Sequence, residues 1–242
     1  VASCERRAHA KKLPRLGYVG QGTGGDFRRT LGIEHKLERY LDVIAAGHTR
    51  RIDVGAFTYR DHEGAPREAA FLNILSMGMG GLVDRYVAEH GRTMGGTTAY
   101  FLASARALVE SRVGRLKLTL TDELGATRVE RLESRQLCIC NGRYFGGGMH
   151  VAPMAVPDDG RFELVSLGAG SRLSFLVVSS GVYGAKHLGK PGVVHLSCRG
   201  VKVELENAEV DASYLLDVDG EPLGRLPIEV ELLPGAIEVL AP

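Results

Sequence analysis

From Arg51 onward, apolar residues recur at every second position, and this period constrains the fold more than any other feature of the 242-residue chain. Leu116-Lys117-Leu118-Thr119-Leu120, Val201-Lys202-Val203-Glu204-Leu205 and Ile228-Glu229-Val230-Glu231-Leu232 each send one set of side chains to a core and the other to water. Successive residues of a strand point to opposite faces, so these runs predict half-buried antiparallel strands. Ile52 to Tyr59 runs into the turn-forming Asp61-His62-Glu63-Gly64 and returns through Ala69 to Met77, the pattern of a hairpin. Two helical stretches interrupt the alternation, over roughly residues 96–112, with Phe101, Ala105 and Leu108 on one stripe, and over roughly 171–185.

The first fifty residues follow another pattern. After Pro14, Leu16-Gly17-Tyr18-Val19 reads as a strand that empties into Gly20-Gln21-Gly22-Thr23-Gly24-Gly25-Asp26-Phe27. A helix is predicted over 34–46, where Leu37, Tyr40, Leu41 and Ile44 recur at i, i+3, i+4 and i+7. Strand, loop and helix make half of an α/β layer. The expected class is α+β: an α/β remnant in residues 1–50, then an antiparallel β-sandwich-like domain with inserted helices in 51–242. The opening Cys4-Glu5-Arg6-Arg7-Ala8-His9-Ala10-Lys11-Lys12 resembles the end of a helix already under way, so a truncated start is expected.

Composition narrows the class further. With 44% hydrophobic and 24% charged residues the chain is globular in make-up. Its longest apolar runs, such as Phe175-Leu176-Val177-Val178, fall far short of a bilayer span, so a soluble or peripheral protein is expected. No charged-then-apolar leader points to secretion. Cys4, Cys138, Cys140 and Cys198 read as buried thiols in a reducing compartment, and the histidines show no ligand spacing. Residues 1–52 carry 11 Lys+Arg and 5 Asp+Glu, net +6, whereas the other 190 carry 19 and 24, net −5. A basic opening suits nucleotide phosphates or an acidic lipid surface, and equally a solvated basic face.

Three segments carry chemistry. Gly20, Gly22 and Gly25 satisfy G-x-G-x-x-G after a strand, but a dinucleotide fold would continue into a second parallel strand, whereas this chain passes into antiparallel alternation. The loop still lets backbone N–H groups approach phosphate oxygens, with the helix beyond offering its positive end. Thr23 adds a hydroxyl, and Arg28 and Arg29 sit on the next turn, available to a phosphate or to solvent. The P-loop pattern is missing. In Asn141-Gly142-Arg143-Tyr144-Phe145-Gly146-Gly147-Gly148-Met149 the consecutive glycines are entropically costly and imply close packing or ligand approach. Leu216-Asp217-Val218-Asp219-Gly220-Glu221 is an acidic turn that alone reads as a plain β-turn.

Together these segments resemble the bacterial diacylglycerol kinase and sphingosine kinase-like lipid kinase family. Its G-T-G-N-D-F loop and following L-G-I are matched by Gly22 to Phe27 and Leu31-Gly32-Ile33. Its N-G-x-x-x-G-G-G-M, A-P-x-A, D-D-G and D-G-E elements are matched at Asn141 to Met149, Ala152 to Ala155, Asp158 to Gly160 and Asp219 to Glu221. Phe71-Leu72-Asn73-Ile74, Met77 to Leu82 and Leu233 to Leu240 are also family-like. The sequence departs from the pattern in two places. Gly25 stands where the family usually has Asn, and the family's G-G-D-G-T appears nowhere, as if about a hundred residues preceded Val1. NAD kinases share that motif and a similar two-domain plan, but the other elements favour lipid kinases.

The resemblance implies an ATP- and Mg²⁺-dependent kinase acting on a lipid hydroxyl, most simply that of diacylglycerol, with this chain alone incomplete for activity. Residues 1–50 become the later part of a nucleotide-binding domain. Gly22, Thr23, Gly24, Gly25 and Asp26 would hold the nucleotide, Asp219 would be the catalytic base, and Glu221 would assist with metal or orientation. Asp159 would ligate a structural divalent ion with backbone carbonyls, and lipid would enter near Tyr144, Phe145 and Met149. The expected setting is cytoplasmic and peripheral at the inner membrane surface, without nucleic acid, and with homodimerisation open. A non-catalytic lipid-binding or regulatory β domain and an NAD(P)-binding protein remain the alternatives.

Overall fold

The computed structural model describes residues 13–20, 25–90, 103–104, 106–168 and 170–242. Strand β1 (Arg15–Leu16) precedes two helices, α1 (Asp26–Thr30) and α2 (Leu37–Ala46). Strands β2 (Thr49–Arg60), β3 (Pro66–Phe71) and β4 (Ile74–Gly78) lead into helix α3 (Met79–His90). Then come β5 (Gly114–Thr121), β6 (Thr127–Ser134), β7 (Gln136–Cys140), β8 (Phe162–Leu167) and helix α4 (Arg172–Val182). The chain closes with β9 (Val193–Cys198), β10 (Gly200–Leu205), a 3₁₀ turn at Ala208–Ser213, β11 (Leu215–Val218) and β12 (Glu221–Leu240). The fold is α+β and mostly antiparallel, as the alternation predicted.

Strand β12 organises the sheet. Its start pairs with β11, its middle with β10, its length with β2 and its end with β1, the last being the one parallel pairing among the described strands. The path β6-β5-β10-β12-β11-β4-β7-β8-β9 then runs on either side of it. Inner-face residues from both halves, among them Leu118, Val203, Ile228, Leu216, Met77, Ile139 and Phe162, share one core cluster. A sheet folded over on its own apolar face in this way is a sandwich-like arrangement. The central strands β4, β7 and β8 are buried along their whole length. Their second face carries Ile74, Cys138, Cys140, Val165 and Leu167 into another cluster beneath α4 and the loop after β7.

Several expectations are revised by this packing. The predicted hairpin is β2 with β3, but it ends at Phe71; β4 leaves it to lie between β11 and β7. The predicted strand at 16–19 is limited to Arg15–Leu16, and Tyr18 instead packs with Phe27 and Tyr40. On α2 only Tyr40 of the predicted apolar stripe is buried; Leu37, Leu41 and Ile44 are exposed, at 58%, 54% and 38%. The first part of the predicted helix at 96–112, with Phe101 and Ala105 of its stripe, lies outside the described residues, and the rest is helical at 103–104 and 106–110. Cys138, Cys140 and Cys198 are buried free thiols, and burial pushes each above the ordinary cysteine range. Among the described residues no helix is long and apolar enough to cross a membrane.

Helix α3 has no counterpart in the sequence reading because Gly80-Gly81 falls in its first turn, where glycine weakens helix propensity. The packing explains the choice. A Cβ at Gly81 would lie 2.5 Å from the Leu215 carbonyl oxygen of β11, so only glycine lets α3 lie this close to the sheet. Gly81→Ala is expected to cost about 1–3 kcal/mol by forcing α3 off β11, which thermal unfolding of the variant measures.

Candidate active site

The turn between β11 and β12 consists of Asp219 and Gly220, with φ of 53° and 93°. Asp-Gly is favoured where both turn residues need positive φ, so the tight turn follows directly from this pair. Because Asp219 leaves the extended conformation, strand alternation does not continue through it. Asp217 and Asp219 therefore do not project alike. The Asp217 carboxylate is buried and accepts from Ser76 Oγ at 3.1 Å and Gly220 N at 2.9 Å. That of Asp219 turns onto the link between β3 and β4, accepting from Leu72 N at 2.8 Å, Asn73 N at 3.1 Å and Ile74 N at 2.8 Å. Desolvation pushes the Asp219 carboxyl above the ordinary aspartate range, against the opposing pull of these N–H groups. Glu221, at the start of β12, is exposed.

The clasped link reaches the loop after β7. The Asn73 carbonyl accepts from the N–H groups of Asn141 and Gly142, both at 2.9 Å, and Asn73 Nδ2 donates to the Tyr144 carbonyl at 2.9 Å. Asn141 Nδ2 donates to the Leu72 carbonyl at 2.8 Å and the Asp53 carbonyl at 2.9 Å. A Cβ at Gly142 would stand 2.0 Å from Asn73 Oδ1, so the two strand ends meet this closely only with glycine there. Tyr144 stacks on His150 with ring centroids 4.2 Å apart. Phe145 is buried and Met149 packs beside it in the cluster beneath α4, so of the predicted lipid contacts these two serve packing in this conformation.

The same loop meets the first helix. Arg143 N donates to Thr30 Oγ1 at 3.0 Å, and Gly147 N donates to Asp26 Oδ2 at 2.8 Å. Burial pushes the Asp26 carboxyl up, while the N–H groups of Gly147 and Gly148 and the guanidiniums of Arg29 and Arg28 draw it down. Gly25 takes φ 57° at the start of α1. Gly22, Thr23 and Gly24 lie outside the described residues. Helix α1, five residues opening on the Asp26 carboxylate, stands between the loop and α2, the helix predicted over 34–46. Arg28 Nη1 donates to the Ile33 carbonyl at 3.2 Å.

Asp159 lies across β2 from this network. It is exposed, accepts from Arg161 N at 3.2 Å and faces the Arg161 guanidinium at 3.7 Å. Desolvation raises its pKa, and the negative charges of Glu163 and Asp53 add to the rise. Among the described residues no three His, Cys, Asp or Glu side chains cluster for a metal. The Arg161 N–H and guanidinium oppose that rise, and a single carboxylate facing a guanidinium does not make a cage of side chains, so a divalent ion here would have to draw most of its oxygens from the main chain. Asp158 instead forms a two-pronged ion pair with Arg50, at 2.6 and 2.5 Å.

Sequence reasoning missed Asp53, Asn73 and Thr30. Asp53, buried at 2% exposure, accepts from Gly160 N at 2.8 Å and Gly235 N at 2.7 Å, and its own N–H donates to the Pro157 carbonyl at 2.7 Å. It joins the Asp158-Asp159-Gly160 turn to the irregularity between Leu233 and Ile237 of β12, where Gly235 leaves the ladder. Its signal was a carboxylate at an inward position among Ile52, Val54 and Phe57.

Comparison with known proteins matches residues 73–241 to the model of the YegS C-terminal NAD kinase beta sandwich-like domain. Residues 2–57 match the diacylglycerol kinase catalytic domain. The chain belongs to the diacylglycerol kinase and YegS-like lipid kinase family. It is 28% identical over 231 residues to a diacylglycerol kinase of Mycobacterium tuberculosis (strain ATCC 25618 / H37Rv), covering 94% of this chain and 69% of that one. To a diacylglycerol kinase of Staphylococcus aureus (strain JH9) it is 24% identical, covering 97% and 69%. Among solved structures, a diacylglycerol kinase from Bacillus anthracis str. Sterne superposes with TM-score 0.60 at 20% identity, over 97% of this chain and 70% of that one. That likeness carries the family fold.

In this family member the buried polar centre is expected to be sensitive to a single acceptor. Asp53→Asn turns an amide toward two N–H donors and leaves one unpaired, a loss of about 1–3 kcal/mol. Asp159→Asn, exposed, should cost much less. Thermal unfolding of the two variants side by side checks the difference.

Proposed function

We propose that this protein transfers the γ-phosphoryl group of ATP to the hydroxyl of a lipid alcohol, with diacylglycerol as the first candidate and phosphatidic acid as its product. The observation that carries the reading is convergence. The Asp219 turn, the 72–74 link, the 141–149 loop and Asp26 with Thr30 form one continuous set of hydrogen bonds. All four belong to segments matched by the family, and the M. tuberculosis and S. aureus relatives are named for diacylglycerol kinase activity.

In the reaction the lipid oxygen attacks the γ-phosphorus and the bond to the β-phosphate oxygen breaks. The hydroxyl proton passes to Asp219, and the charge of the transferring group needs neutralisation by its surroundings. Gly22, Thr23, Gly24 and Gly25 hold phosphates through backbone N–H groups. Asp26, which follows that loop in the chain, accepts from Gly147 N–H and so ties the glycines at 147–148 to the start of α1. Magnesium, when bound with ATP, offsets phosphate charge. A separate divalent ion on Asp159 would tie the Asp158-Asp159-Gly160 turn together as a structural element. The lipid is drawn from a membrane surface in the cytoplasm.

Phosphorylation of a panel of lipid alcohols with labelled ATP tests the reading, run on this chain and on any longer form with residues before Val1. Asp219→Asn is expected to cut turnover by about 10² or more with nucleotide binding nearly unchanged, and Asp217→Asn far less. Equal effects would return Asp219 to a purely structural role. The base must be deprotonated to act, so its raised pKa moves the acid limb of the rate profile above the ordinary aspartate range. No phosphorylation of any lipid, with lipid binding retained, would favour a non-catalytic lipid-binding domain.

The Asp159 ion has its own measurement. Mg²⁺ or Ca²⁺ should raise the melting temperature of the parent by ordinary linkage and leave Asp159→Ala unmoved. A parent that melts alike with and without metal has no such site.

A further inference from the structure

Helix α4 is apolar on two sides. Phe175, Val178 and Val182 are buried against the sheet. On the opposite side Leu173, Leu176, Val177 and Tyr183 are exposed at 74%, 48%, 61% and 57%. Arg172 at the start of the helix donates to the Leu108 and Val109 carbonyls at 3.1 and 2.6 Å, bringing the 65%-exposed Val109 to the same end. An amphipathic surface helix would carry charged residues on that outer side. This one leaves aliphatic and aromatic side chains in water.

The charge around it is one-sided. The helix and the turn after it, residues 171–190, contain no aspartate or glutamate and carry Arg172, Lys186 and Lys190, although residues 53–242 as a whole have net charge −5. Lys190 lies along the helix, its Nζ 3.1 Å from where a Cβ on Gly181 would stand. Burial, and then the like charges of Arg172 and Arg112, pull the Arg135 guanidinium below its usual range. No carboxylate pairs with Arg112, Arg135, Arg172, Lys186 or Lys190 among the described residues.

We infer that the outer face of α4, with Val109 and the cations Arg172, Lys186 and Lys190, is the surface by which the protein docks on an anionic lipid bilayer. A helix that buries an apolar stripe among acyl chains and sets cations among lipid phosphates needs this composition. Tyr183 has the apolar ring and polar tip suited to the headgroup boundary. A second copy of the chain is a poorer occupant, because a two-fold contact would set the same cationic rim against itself. The docking face is also mechanically close to the candidate site. The buried stripe of α4 shares its cluster with Ile74, whose N–H bonds Asp219, and with Phe145 and Met149 of the glycine loop.

The inference rests on the lipid-kinase reading for why a bilayer is the partner, but its test needs no turnover. The chain is sedimented without nucleotide with vesicles of phosphatidylcholine alone and of phosphatidylcholine with phosphatidylglycerol. Preference for the anionic vesicles, weakened by salt, is expected. Leu173→Gln with Val177→Gln should bind them at least about tenfold more weakly, with unchanged thermal unfolding because both positions are exposed. Lys186→Gln with Lys190→Gln should weaken binding by about tenfold and flatten its salt dependence. Asp219→Asn should bind like the parent, so loss of kinase activity with docking retained separates the two claims. Absence of binding to anionic vesicles by the parent overturns the inference. Parent-like binding by both double variants does so too, as does conversion of an oligomeric parent to monomer by the Leu173 and Val177 changes without effect on vesicles.

Discussion

The candidate site depends on the Asp219 carboxylate holding three consecutive backbone N–H groups. Between Phe71 and Ile74 the chain leaves one strand pairing for another, and at such a crossing the amide groups have no ladder partner. Buried amides without acceptors are costly, so the link between β3 and β4 would not stay inside the fold unless something accepted from it. Asp219 does so from one side, while Asn141 accepts none of these donors and instead gives its amide to the Leu72 carbonyl from the other. Once the link is fixed, Asn73 presents its carbonyl and side chain to the 141–144 segment, and the order propagates to Thr30 and Asp26.

The antiparallel domain was legible in the sequence because the strands with one wet face obey a simple rule. Strands β5, β10 and β12 bury every second residue, and the pattern appears in the bare letters. The central strands are harder to read, since β7, Gln136-Leu137-Cys138-Ile139-Cys140, is buried on both faces and shows no alternation. Helix α3 was hidden by a glycine pair that serves close contact with β11. The stripe on α2 was readable as periodicity, but periodicity reports that a helix has an apolar side and is silent on what covers it. Leu37, Leu41 and Ile44 make that distinction concrete.

Legibility at the site divides along a similar line. Asp219 and Gly220 announced a tight turn, and the glycines at 142 and 146–148 announced close approach, because those residue types are demanding about backbone conformation. What they approach is set by residues hundreds of bonds away along the chain. Asp53 reads as one acid in a strand, yet its role comes from two N–H groups, one in a turn at Gly160 and one at Gly235 in a displaced segment of β12. Thr30 reads as an ordinary helical threonine until Arg143 is brought to it. Long-range pairing of this kind leaves no local signal. Only the family resemblance, which carries the arrangement implicitly, pointed to the same segments.

The clasp also bears on how Asp219 could accept a proton. A carboxylate offers about four acceptor positions, and the N–H groups of Leu72, Asn73 and Ile74 occupy most of them. Those bonds favour the ionised form, whereas desolvation at the turn favours the neutral one, and the balance leaves the group raised above an ordinary aspartate. A proton arriving on either oxygen would weaken the hold on at least one of the three amides. Protonation of Asp219 and the geometry of the 72–74 link are therefore coupled: the link is tightest while the carboxylate is ionised and loosens once it is protonated. Because Asn73 connects the link to the Tyr144 carbonyl, that loosening would be felt first in the glycine loop.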